Sequence, residues 1–270
     1  MKEYKKIIRD FELLTEIAYD LSQQFEDIIT KDRRKQTATY ILAKVVPNCI
    51  SILKLLPESN FSTSEDDYLD FSSISSLCRN LIEASNIHWY LSIENISPSE
   101  KDFRFKLYDY HDTSELLIIV KHLEFKPSDI QYLKKQLDYY KAILQSDPFF
   151  KTLNSKLQKL ILSGKKNSTL NQFEIAKARS LNYKSFTGIY KLLSNQIHTT
   201  PTSIKWLGFT RLHDNKNEMN ISFALILLDY SSRFLADLIL QTGNIWGLKF
   251  AKKKSENIVK NYSNKLTQSI

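Results

Sequence analysis

Apolar residues recur along this chain every three or four positions over long stretches, the spacing of an amphipathic helix. Ile7, Phe11, Leu14, Ala18, Leu21, Phe25 and Ile28 follow it and predict a helix over residues 3–30. A second is predicted over 35–56, kinked where Pro47 removes a backbone donor, and ended by Pro57 and the polar stretch 58–66. A third runs from about Asp67 to Glu94. Ser97, Pro98 and Glu100 then read as a capping box that opens a fourth, reaching about Leu123. Pro127 and Pro148 mark two further starts, the latter capped by Asp147, and residues 163–172 read as a loop. A helix follows from about Asn182 to Ile197, and Pro201 restricts its continuation, so that 199–217 reads as irregular or short helix. Residues 218–242 are almost wholly apolar and predict the central buried helix, ended by Gly243 and Gly247, with Asp229, Arg233 and Asp237 paired at i, i+4 steps. A basic helix over about 249–267 is expected at the periphery. Without an internal repeat or a low-complexity linker, residues 1–270 read as a single helical domain.

Composition strengthens this reading. Gly and Pro together number 11, where average usage gives roughly 30 in a chain of this length. Few turn formers mean few turns and long elements, so the fold class is all-α, a single multi-helix bundle, and sandwiches, barrels and doubly wound sheets are excluded. Cys49 and Cys78 lie in apolar helical contexts and read as reduced core residues. The charged start MKEYKKIIRDFELL lacks the apolar centre of a signal peptide, and the uncharged apolar run 219–228 is shorter than the roughly 20 residues a membrane span needs. The expectation is a soluble cytoplasmic protein with no membrane association.

Charge divides the chain. Residues 1–133 carry a net −6 and residues 134–270 a net +14. A basic half suits a polyanion such as RNA, and it equally suits an acidic half packed against it. Of the 38 basic residues 30 are lysines, which are solvated point charges without the planar phosphate fork of arginine.

Candidate chemistry is sparse. Gly164-Lys165-Lys166-Asn167-Ser168-Thr169 lacks the upstream glycine and the preceding strand of a phosphate loop. His111, Glu115 and His122 fall near one helix face but form no Glu-x-x-His pair, so no metal and no cofactor are assigned. Two polar stripes are more informative. Arg79 and Glu83 are spaced i, i+4, with Asn86 and Tyr90 extending the stripe, on a helix otherwise lined by Ile74, Leu77, Cys78, Leu81, Ile82 and Ile87. Tyr183, Thr187, Tyr190, Ser194 and His198 form a second stripe at steps of three or four. Each stripe lies among apolar neighbours and loses water on folding, so the two are expected to face each other.

The segment SSLCRNLIEASNIHWYLS, with Arg79-x3-Glu83, resembles the first motif of a bacterial family of helical proteins known as a domain of unknown function. YKLLSNQIHTTP, with Tyr190-x3-Ser194-x3-His198, is similar to that family's second motif. Such proteins in turn resemble the HEPN superfamily (higher eukaryotes and prokaryotes nucleotide-binding domain). The resemblance implies a helical bundle, often dimeric, and, as in many members, a metal-independent endoribonuclease of phage defence or toxin–antitoxin systems. It implies RNA or a nucleotide as partner, held by the lysine-rich C-terminal half, and a second copy or another protein beside it. His198 would act as general acid or base on a ribose hydroxyl, Arg79, oriented by Glu83, would stabilise phosphate charge, and Tyr190 and Ser194 would position. The sequence departs from the ribonuclease signature, an Arg followed by four to six residues and His on one helix. Lys191 precedes His198 with six residues between, and Arg79 precedes His88 with eight. The alternative is a non-catalytic interaction or sensor subunit whose Arg79–Glu83–His198 cluster is a buried structural network.

Overall fold

The computed structural model describes residues 2–26, 28–62, 69–212, 218–250 and 252–270. The described residues form twelve α-helices and one π-helical turn, with no strand among them. The all-α expectation holds. They fall into two compact units: Met1–Ile93 with Gln172–Ile270, and Glu94–Asn171.

The first unit contains α1 (Lys2–Gln23), α2 (Arg33–Leu55), α3 (Phe71–His88), α8 (Gln172–Ala178), α9 (Tyr183–Ile197), α10 (Pro201–Leu212), α11 (Glu218–Trp246) and α12 (Lys253–Asn264). α11 packs against α1, α2, α3 and α12, and so occupies the centre, as its apolar sequence predicts. Ala224, Leu227, Leu228, Phe234, Leu235, Leu238 and Ile239 are buried there against Phe11, Leu14, Leu42, Ile52, Ile74 and Leu81. Cys49 and Cys78 are free and buried in the same core, and burial pushes both thiols up, Cys78 to about 12.

α2 is long and apolar enough by composition to cross a membrane. Its Leu42, Val45, Cys49, Ile52 and Leu53 are core residues here. A core helix of a soluble protein meets the same criterion.

The second unit contains α4 (Pro98–His122), α5 (Pro127–Ser146), α6 (Pro148–Thr152) and α7 (Ser155–Leu162), around a core of Phe103, Leu107, Tyr110, Leu144, Phe150 and Ile161. Ser97 caps α4 by accepting from the Glu100 N–H at 3.1 Å. The reciprocal half of the capping box is replaced: the Glu100 carboxylate accepts from buried Arg104 at 2.6 Å, and Glu94 takes a second branch of that guanidinium. Gly164 adopts φ +75°, and a Cβ there would stand 2.0 Å from Ser114 Oγ. Its carbonyl lies 2.7 Å from His111 Nδ1. The glycine of the supposed phosphate loop therefore serves a close backbone approach to α4.

Helix ends differ from expectation in identifiable ways. α1 stops at Gln23, short of the predicted residue 30. α3 is capped by Asp70, while the predicted start at Asp67 lies outside the described residues, and the helix passes at Trp89–Ile93 into the π-helical turn. Pro201 opens α10 as its first residue, where its missing N–H costs nothing. α11 runs through Gly243 to Trp246 and stops at Gly247, whose φ is +68°. The basic tail becomes α12, anchored by buried Val259 and by Tyr262, which donates to Asp10 at 2.8 Å.

Candidate functional site

Asp70 and Asn182 cap α3 and α9 by accepting from Ser73 N and Ser185 N, and the two helices pack side by side. Their polar stripes meet. Arg79 donates through Nε to Glu83 Oε1 at 2.7 Å and through Nη2 to the Tyr190 hydroxyl at 3.0 Å. Tyr190 donates in turn to Glu83 Oε1 at 2.5 Å, which closes a triangle across the two helices. The guanidinium also lies 4.8 Å from the centre of the Tyr190 ring. Its remaining branch, Nη1, makes only a long contact of 3.4 Å to Ser194 Oγ. Ser194 itself donates to the Tyr190 carbonyl at 2.8 Å.

The cluster is neither sealed nor fully solvated. The side chains of Arg79 and Glu83 are 22% and 33% exposed. Burial works against the Arg79 charge, but the bond and charge of Glu83 outweigh it and raise its pKa. Burial and then Glu83 push the Tyr190 phenol up to about 12, against the opposing effect of Arg79, so it remains a donor throughout the neutral range. His198 stands apart from the triangle. It is the exposed residue that ends α9, its backbone N–H donates to Ser194 O at 3.3 Å, and among the described residues nothing hydrogen-bonds its ring. The stripes therefore bring Arg79, Glu83, Tyr190 and Ser194 together and leave His198 on the surface one turn further along. Thr187, on the same stripe, has a buried hydroxyl without a partner among the described residues, and Tyr183 is exposed.

A second polar cluster, centred on buried Arg179 and Asn86, was not anticipated. Arg179, just past α8, donates to Asp237 Oδ2 at 2.8 Å and to Asn86 Oδ1 at 2.6 Å, with its guanidinium 5.2 Å from the centre of the Phe234 ring. Asn86 passes the network to Gln172 at 2.7 Å, and Ser263 donates to the other Asp237 oxygen at 3.1 Å. Asn86 thus leaves the Arg79 stripe for another partner. The predicted ladder of Asp229, Arg233 and Asp237 is half correct. Arg233 bonds Asp229 at 2.7 Å but turns its other branch to the Lys265 carbonyl, and Asp237 pairs with Arg179. A carboxylate inside FLADLIL signals a buried cationic partner, but spacing alone favours the cation on its own helix.

Nearby, His88 Nε2 lies 3.0 Å from the Thr242 hydroxyl. Burial, then the charge of Arg179, lower its pKa to about 3. This network knits α3, α8, α11 and α12 together around buried Arg179, which is the geometry of a structural brace.

One further hollow, of about 410 Å³, lies between Glu16 and Asp20 of α1, with Gln24 just past it, and Lys249, Lys252 and Lys254 beyond α11, and Ile17 and Phe250 also line it. Among the described residues no group of three or more histidines, cysteines and carboxylates could hold a metal ion. No family model, curated protein or solved structure matches this chain.

Proposed function

We propose that this is a cytoplasmic, HEPN-like helical protein that binds RNA or a nucleotide at the α3–α9 face and acts on it without a metal, as an endoribonuclease or RNA-binding component of a bacterial defence or toxin–antitoxin system. The observation that carries this reading is the state of Arg79. Its Nε and Nη2 are fixed by Glu83 and Tyr190, and Nη1 is held only by a 3.4 Å contact, on a side chain that keeps some solvent exposure. A guanidinium oriented in this way presents one pre-aimed donor edge, the arrangement that suits a phosphate oxygen. His198 supplies an unengaged imidazole further along the same stripe, a group that can take or give a proton at a ribose hydroxyl or a leaving oxygen. Surface lysines of the basic half supply sequence-independent contacts to the backbone.

The same triangle favours a second reading, a non-catalytic interaction subunit in which Arg79–Glu83–Tyr190 only braces α3 to α9. Fluorescence anisotropy with labelled single-stranded RNA across a salt series separates the two. The proposal expects affinity that falls steeply with salt, and a loss of roughly tenfold or more in Arg79→Ala with little change in thermal midpoint. The brace expects Arg79→Ala to lower the midpoint while RNA binding is absent or unchanged.

A further inference from the structure

The first unit leaves large apolar side chains uncovered at one end of its bundle. In the connection between α1 and α2, Ile28 is 50% and Ile29 99% exposed, and Tyr40 on α2 is 64% exposed. Trp246, the last residue of α11, ties that helix end to this connection. Its ring centre lies 5.0 Å from that of Phe25, its Nε1 donates to the Thr39 hydroxyl at 3.2 Å, and the Lys35 ammonium stands 4.9 Å over it. Ile28, Ile29, Tyr40 and Trp246 line one hollow of about 360 Å³. Two residues beyond Trp246, Leu248 is exposed as well. A single exposed leucine needs no explanation, but an isoleucine wholly in water, grouped with Ile28 and Tyr40, marks a contact surface.

The rim of this surface is basic. Residues 24–35 carry Lys31, Arg33, Arg34 and Lys35 against Glu26, Asp27 and Asp32. Residues 247–255 carry Lys249, Lys252, Lys253 and Lys254 and no acid, so the two segments together hold a net +5. All four of these lysines, with Lys31 and Arg33, are exposed, as is Glu26. Asp32 is committed to capping α2 and to Arg34, 3.3 Å away. Glu16 and Asp20 lie about 10 and 5 Å back from the end of α1 along its axis, where they line the 410 Å³ hollow with Lys249, Lys252 and Lys254. Glu256 on α12 is paired with Lys260.

We infer that this end of the bundle docks on an anionic lipid surface. Ile28 and Ile29 enter the boundary between headgroups and acyl chains, and the lysines stay among the headgroups. Lysine is a hydrated point charge without a fixed hydrogen-bonding fork, which suits a fluid layer of phosphates. Tyrosine and tryptophan, here Tyr40 and Trp246, favour the same depth. Single-stranded RNA would use the cations and the rings and would leave both isoleucines in water. The sequence expectation of no membrane association rests on the lack of a signal peptide and of a long apolar run, and a loop that enters only the interface needs neither. The surface shares no residue with the α3–α9 cluster, so the inference goes beyond the reading of Arg79 and His198 and is tested separately.

Flotation of the full chain with vesicles is the test, phosphatidylcholine alone against phosphatidylcholine with about 30% phosphatidylglycerol, across a salt series. Binding should require the anionic lipid and weaken with salt. Ile29→Asp, at a position with no packing to lose, should keep its thermal midpoint and lose roughly tenfold or more in vesicle affinity. Lys249→Glu combined with Lys253→Glu should weaken binding at low salt, and Arg79→Ala should float like the wild type. Ile29→Cys, labelled with an environment-sensitive fluorophore, reports insertion directly, because Cys49 and Cys78 are buried. Its emission should shift to the blue on anionic vesicles and be quenched by spin-labelled acyl chains. The inference is overturned if anionic vesicles leave the protein unbound at low salt, if Ile29→Asp binds them as tightly as the wild type, or if the probe at position 29 stays in water on bound vesicles. A probe that responds to single-stranded RNA and not to vesicles also overturns it, and assigns the basic rim to nucleic acid.

Discussion

Arg79 and Arg179 make a similar number of polar contacts and differ in what surrounds them. The Arg179 side chain is only 2% exposed, and burial lowers its pKa even with Asp237 alongside. Arg79 keeps contact with solvent and has its pKa raised. A buried pair is silent chemically and costly to break, whereas a half-exposed one is available to a ligand. The sequence showed the Arg79 stripe because its spacing is local. It did not show Arg179, whose partners are 93 and 58 residues away.

His88 belongs to the buried set, and its behaviour with pH follows. Its pKa falls from the ordinary 6.5 to about 3 in the folded chain. The unfolded chain therefore binds a proton that the folded chain refuses between those values, so stability falls as pH drops through that window. Urea unfolding at pH 7 and pH 4.5 should show the wild type losing more stability than His88→Gln, whose amide can still reach Thr242. Equal losses would place His88 in contact with water.

At the scale of elements, helix starts were the most legible feature. Asp147, Asn182 and Ser97 cap where their positions before a proline or an apolar run predict, because a cap is a local hydrogen bond. Helix ends were less legible. Gly243 and Gly247 look alike in sequence, yet only Gly247 takes a positive φ. Neither would bring an added Cβ within 4 Å of another atom, so backbone conformation alone decides the effect of substitution. Gly243→Ala should stabilise the chain by about 0.5–1 kcal/mol, and Gly247→Ala should destabilise it by about 1 kcal/mol. Thermal or urea denaturation checks both, and the reverse order would move the end of α11 back to Gly243. The short helices α7 and α8 escaped separate prediction because seven or eight residues are too few to establish a period.

At the scale of the molecule, the two compact units do not follow the division of charge. The boundary between acidic and basic halves at residue 133 falls inside α5, so the net +14 is shared between the second unit and the returning segment of the first. The basic half is thus not a body of its own. A polyanion would be held by lysines distributed over the surface, with Arg79 and His198 supplying the local chemistry. The all-α architecture was legible because scarcity of Gly and Pro is a property of the whole chain. The arrangement in two units was not, because the pairing of α3 with α9 and α11 bypasses the intervening 94–171 without any linker composition to mark it.

The central claim, that the α3–α9 face acts on RNA through His198 without a metal, is tested most directly by one assay. End-labelled single-stranded RNA is incubated with wild type and His198→Ala in excess EDTA, and the products are resolved on a sequencing gel. The expected result is cleavage by the wild type, insensitive to EDTA, and its loss in His198→Ala at an unchanged thermal midpoint. An intact RNA with both proteins, or equal cleavage by both, contradicts it.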